Sequence, residues 1–248
     1  GYYNASNSNL GLLAIKTNWG DSIYWAKKYY SDNNIYLDCR NSYKAPGGTL
    51  VLTGERRYFN TRTFLISKID TNGNMLWTRH FPFMSGNPTY LMNPNSWPKN
   101  IFVSDDAIYF SIHFSFYDIV GKLDLNGTLL WSRGVASGSP PFSTANNIVQ
   151  GLFEKNGFVY FASHTVKNGP SGNNISGTAI TQLNDANGSL IKSTLYSIVP
   201  DTYAKGFVSH YLYPFKDGTF SLTGYLAVPV PNNQIVSGMS SRFNLQLD

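Results

Sequence analysis

Charge is what this sequence has least of. Only 13% of its 248 residues are Asp, Glu, Lys or Arg, about half the usual share for a soluble domain. Its polar surface must come from Asn, Ser, Thr and Gly. The net charge of +5 is spread thinly, with Lys27-Lys28 and Arg56-Arg57 as the basic doublets. That leaves no concentrated basic face of the kind nucleic-acid binding needs. Cys39 is the single cysteine, which excludes an internal disulfide framework and any cysteine-based zinc cluster. It reads as a buried or unreactive thiol, with a bridge to another chain or segment as the alternative. No apolar run approaches the length of a membrane-spanning helix. Gly-x-Ser-x-Gly, P-loop and His-Glu-x-x-His patterns are all missing. A quinone cofactor would call for a vicinal Cys pair or a concentrated Arg/Asp/Asn site, and neither is found, so no cofactor is expected. A signal peptide is lacking and the first residue is not Met, as in a mature product or an excerpt of a longer chain.

What the sequence has is a repeated sentence. Phe64–Phe81 reads as two strands around the turn Asp70-Thr71-Asn72-Gly73, where Asn-Gly supplies the positive φ angles of a hairpin. The same pattern returns at Ile119–Val135, more loosely at Ile180–Tyr196, weakly at Leu12–Lys27, and as a half copy at Ser241–Asp248. With Lys16, Asp70, Asp124, Asn184 and Asp248 as the shared turn position, the spacings are 54, 54, 60 and 64 residues. Helical periodicity is absent, and Val, Ile, Phe, Tyr and Thr dominate the apolar runs. A second hairpin precedes each motif, turning at Gly47-Gly48, Asp105-Asp106, Asn156-Gly157 and Asp217-Gly218. Each unit is therefore four antiparallel strands, A to D. That is the blade of an all-β propeller, here with about four repeats of 54–64 residues.

The units are expected at about 9–29 (partial), 39–81, 100–136, 147–197 and 205–248 (partial), within one propeller spanning 1–248. Polar connections at Ser31–Asn41, Phe83–Lys99, Ala136–Thr144 and Lys167–Gly177 would form the rims, where specificity usually resides. Five C strands against four each of A, B and D favour a part of a longer propeller. A four-bladed ring with an overlapping strand, or strand donation between chains, is the alternative.

The strings SKIDTNGNMLWTR (67–79) and GKLDLNGTLLWSR (121–133) resemble the repeats of secreted β-propellers of the quinoprotein-like and SBBP-type classes. The third unit departs from that pattern, with Lys192 at the Trp77/Trp131 position and one residue inserted in the turn; the first departs with Lys16 in place of the turn Asp. The resemblance implies the fold and an extracellular or cell-surface setting, not a chemistry.

Several residues stand out. Trp25, Trp77 and Trp131 recur at one repeat position and are expected to pack between neighbouring blades rather than stack on sugars. Asp70, Asp124, Gly73, Gly127 and Gly188 read as hairpin chemistry. The residues after each Asp-x-Asn-Gly turn lack the further oxygen ligands of a calcium loop. Glu55, His113, His164 and Tyr225 share a repeat position. A metal ring is rejected there, because equivalent positions on neighbouring blades stand too far apart for ligand distances. The acids Glu55, Asp105, Asp106, Glu154 and Asp217 are read as mostly solvated turn residues. Asn4, Asn126, Asn174 and Asn187 are Asn-x-Ser/Thr acceptors open to glycosylation. No catalytic, cofactor-binding or metal residue is expected. The resulting expectation is a non-catalytic, secreted binding or assembly module for protein or glycan, self-associating through a terminal edge strand. The alternative is an enzyme (lyase, hydrolase or quinoprotein) with its site at the channel mouth.

Overall fold

A computed structural model describes residues 2–3, 11–18, 22–29, 35–58, 61–82, 98–114, 117–136, 149–168, 174–196, 206–214, 219–227 and 238–244. Apart from a 3-10 turn at Pro46–Gly48, the elements are strands. They are β1 (Tyr2–Tyr3), β2 (Gly11–Thr17), β3 (Ile23–Tyr29), β4 (Ile35–Lys44), β5 (Leu50–Tyr58) and β6 (Thr61–Ile69). Next come β7 (Met75–Pro82), β8 (Pro98–Val103), β9 (Ala107–Phe114), β10 (Tyr117–Asp124), β11 (Leu129–Ala136) and β12 (Val149–Lys155). The last are β13 (Phe158–Asn168), β14 (Asn174–Asn184), β15 (Leu190–Tyr196), β16 (Gly206–Pro214), β17 (Thr219–Ala227) and β18 (Gly238–Asn244).

Consecutive strands form the sheets β4–β7, β8–β11 and β12–β15, each four-stranded, flanked by three-stranded β1–β3 and β16–β18. The chain is all-β, built from the antiparallel blades of the β-propeller class. Two compact units divide it: residues 1–98 with 103–108 and 123–128, and residues 99–102 with 109–122 and 129–248. In the first unit Val51, Phe64, Ile66 and Ile69 are wholly buried, with Phe64 and Phe81 in ring contact at 5.7 Å. In the second, Phe153, Tyr160, Ala162, Ile180, Leu212 and Phe220 form one cluster, with Phe153 stacked on Tyr160 at 5.2 Å. These are the aromatic and branched side chains that suit a pleated, buried surface.

The register refines the repeat. Lys16 pairs with Trp25 as Lys68 pairs with Trp77, so the first unit's turn position is Asn18, not Lys16. The Asn18 N–H donates to Ser22 O there, as that of Asp70 does to Asn74 O. Pairing of Phe220 with Phe243 matches that of Leu50 with Ile69, so the last turn position is Asn244, not Asp248. The polar connections were also drawn too long: much of Ser31–Asn41 is strand β4, and Lys167–Gly177 includes the ends of β13 and β14.

Bulges recur at fixed places. On the fourth strand the ladder skips Tyr24, Leu76 and Ile191, which is why these apolar residues are half or more exposed. On the first strand it skips Arg40 in β4, Gln150 in β12 and His210 in β16. A bulge bends its strand and re-aims a side chain.

Candidate functional site

Every four-stranded sheet has two unlike ends. The turn end carries the hairpins between its first two and last two strands; the far end carries the other connections. The turn end is built as a latch. Asp70 folds its turn by accepting the Asn72 and Asn74 N–H groups on Oδ1 at 2.8 and 2.7 Å. Asp124 does the same for Asn126 and Thr128 at 2.9 and 2.7 Å. These bonds hold both carboxyls below the usual carboxylate range, led by the Asn74 and Thr128 backbone N–H groups respectively.

Each turn then receives the tryptophan of the preceding repeat. The indole N–H of Trp25 donates to Thr71 O at 2.8 Å, that of Trp77 to Leu125 O at 3.1 Å, and that of Trp131 to Asp185 O at 2.7 Å. The rings lie against Gly73, Gly127 and Gly188, all with positive φ. Arg79 and Arg133 add bonds to the Gly127 and Asn187 carbonyls. In the third latch the Asp185 carboxylate also binds Lys122 Nζ at 2.6 Å and Tyr109 Oη at 2.8 Å. These contacts are consumed in holding repeats together, so the tryptophans are not open sugar platforms. Asn126 and Asn187 are exposed at these turns. Asn4 and the side chains of Asn174, Cys39, His113, His164 and Tyr225 lie outside the described residues, as does Asp217.

The far end carries different chemistry. In β4–β7 one transverse row runs Asp38, Glu55, Phe64, Phe81, each residue the register partner of the next. Glu55 is thus not a turn residue: it lies inside β5, opposite a second acid. Asp38 was missed because it falls in a stretch that reads as a polar connection. The row in β12–β15 contains His164, Thr178 and Tyr196, and in β16–β18 Val208, Tyr225 and Gly238. Lys68 and Lys122 share a repeat position, so Asp118 occupies the place held by Phe64 and Thr178. It is only 1% exposed, and its Oδ2 accepts the Val149 N–H at 2.6 Å. Asn100 donates from Nδ2 to Val149 O at 2.6 Å and to Ser111 Oγ at 3.3 Å. Both backbone groups of Val149 are therefore held by side chains at the start of β12. Among the described residues no three His, Cys, Asp or Glu gather as a metal site, and no helix is long and apolar enough to cross a membrane.

No family model and no curated protein matches the chain. Solved structures of similar fold include one described under the GH130 family of mannoside phosphorylases, with glycoside hydrolases that target β-1,2 mannosidic linkages in Candida mannan. It has a TM-score of 0.44 and 8% identity, over 96% of this chain and 82% of that one. The GH93 α-L-arabinofuranosidase of Fusarium graminearum with arabinobiose has a TM-score of 0.44 and 12% identity, over 98% and 75%. An α-L-arabinanase of Cellvibrio cellulosa has 0.39 and 12%, over 100% and 91%. At these values the likeness is one of fold, and carries no argument about activity. It does correct one expectation: similar architectures bear enzyme titles, so the fold gives no ground for calling this chain non-catalytic. The reading of a non-catalytic binding and assembly module is dropped.

Proposed function

We propose that the protein is an enzyme that hydrolyses glycosidic bonds, with Asp38 and Glu55 as its carboxylate pair. The observation that carries this reading is their register: Asp38 and Glu55 are direct partners on neighbouring antiparallel strands. Directly opposed residues have Cα atoms about 4.5–5.5 Å apart, and like charges placed so work against the sheet. A fold with only 14 acidic residues sets two of them opposite each other. Glycoside hydrolysis is a chemistry that needs two carboxyls, one to protonate the leaving oxygen and one to attack or to activate water. A secreted or cell-surface setting suits a glycan substrate and a surface poor in charge.

The test is turnover of a panel of aryl glycosides and plant, fungal and bacterial polysaccharides by the protein and by Asp38→Asn and Glu55→Gln. The expected result is hydrolysis, lowered about 10²–10⁴-fold by either substitution. Absence of turnover across the panel, or variants as active as the parent, would overturn the proposal.

A further inference from the structure

We infer that Asn156 is a site of spontaneous covalent modification, closing a ring with Gly157 and opening to aspartate or isoaspartate, with the Glu154 carboxylate as the base. The reaction needs no partner but water. The Gly157 backbone nitrogen gives up its proton and bonds to Asn156 Cγ; the Cγ–Nδ2 bond breaks, and the amide nitrogen takes up a proton and leaves as ammonia. Water then opens the five-membered imide at either carbonyl, restoring the main chain as aspartate or rerouting it through Cγ as isoaspartate. Five Asn-Gly pairs stand in the chain, and glycine suits the reaction because it sets no side chain against the closing ring. Four of them, at 72–73, 126–127, 156–157 and 187–188, lie among the described residues. Their surroundings set one apart.

Three pairs are locked by the latches. The Gly73, Gly127 and Gly188 N–H groups donate to the Asp70, Asp124 and Asn184 carbonyls at 3.1, 3.0 and 2.8 Å, so the attacking nitrogen is already engaged. Each of these glycines is buried against a tryptophan ring that comes within 2.9, 2.9 and 2.6 Å of where a Cβ would stand. Swinging the nitrogen towards the asparagine side chain would disturb that contact. Asn187 Oδ1 is held as well, by the Ser189 N–H at 2.9 Å. Asn156-Gly157 differs on each count. It is the two-residue loop between the partners Lys155 and Phe158. Both its residues are exposed, and nothing stands within 4 Å of the Gly157 Cβ position. Its Gly157 N–H donates not to a carbonyl but to Glu154 Oε1 at 3.0 Å, a carboxylate that can accept the proton. The modification also has a structural consequence. The Gly157 carbonyl accepts the Asp185 N–H at 3.0 Å, and Asp185 carries Lys122 and Tyr109. The extra backbone carbon of isoaspartate displaces that carbonyl and loosens the third latch.

The experiment ages the folded protein at neutral pH, below its unfolding temperature, and assigns each converted site by peptide mapping and fragmentation mass spectrometry. Asn156 should convert at least about tenfold faster than Asn72, Asn126 and Asn187, the order of the one hydrogen bond that each of those must first break. In urea, where no latch survives, the four rates should draw together. Glu154→Gln should slow conversion at Asn156 severalfold and leave the other three unchanged. The aged protein should unfold at lower urea than the fresh one. Asn156→Gly, at a φ of 54° that suits glycine, should show no such drift. Equal rates at the four sites in the folded protein, a latched site reacting first, or Glu154→Gln converting as fast as the parent would overturn the inference. An aged protein as stable as the fresh one would overturn the link to the latch.

Discussion

The latch between repeats makes a quantitative prediction through Gly188→Ala. Two costs separate there. Gly188 has φ of 68°, and placing an L side chain in the left-handed region costs about 1–2 kcal/mol. The new Cβ would also stand 2.6 Å from Trp131 Cε3 and 2.8 Å from Cδ2, inside any real contact. Overpacking of this kind costs about 1–3 kcal/mol. Trp131 is only 7% exposed and its N–H is tied to Asp185 O, so moving the ring endangers a bond worth about 1 kcal/mol. The total is about 2–6 kcal/mol. Gly157→Ala is the control: it lies in the same compact unit with φ of 78°, and nothing stands within 4 Å of its added Cβ. It should lose the backbone cost alone, about 1–2 kcal/mol. Urea unfolding followed by tryptophan fluorescence measures both. If the two variants lose the same stability, the ring contact contributes nothing and the latch argument fails.

The acid pair gives an opposite sign. Removing the like-charge opposition of Asp38 and Glu55 in Asp38→Asn should raise stability by up to about 1 kcal/mol while it removes activity; thermal unfolding that falls would refute a strained pair. Acid should act on the turns. The folded-state pKa values of Asp70 and Asp124 lie below their unfolded ones, so their contribution is present above the unfolded pKa, near 4. It is lost as pH falls through the folded values. Asp70→Asn together with Asp124→Asn should flatten the stability curve below about pH 4 and leave the neutral region's slope unchanged. Because hydrogen bonds lead both shifts, added salt should leave the acid limb in place.

The sequence by itself determined the blade. Asp-x-Asn-Gly fixes a tight turn because its Gly accepts the positive φ and its Asp carboxylate takes the N–H groups of the turn, and the run Phe64–Ile69 forms a strand buried along its whole length; the turn chemistry is a local effect. The recurrence of Trp25, Trp77 and Trp131 marked a shared role, but only the packed structure gave each ring its partner, a carbonyl 46 to 54 residues further along. The far end was decided by tertiary structure alone. Had the ladder run unbroken from Lys44 opposite Leu50, Glu55 would have faced Cys39. The bulge at Arg40 slips the register by one residue and brings Glu55 opposite Asp38. A bulge is chosen by the balance of pairing and packing along the whole strand, not by the residue skipped, so nothing in the local sequence announces it. The same holds for Asp118: the repeat assigns its position to Phe64 and Thr178, and only the approach of Val149 shows what a buried carboxylate does there.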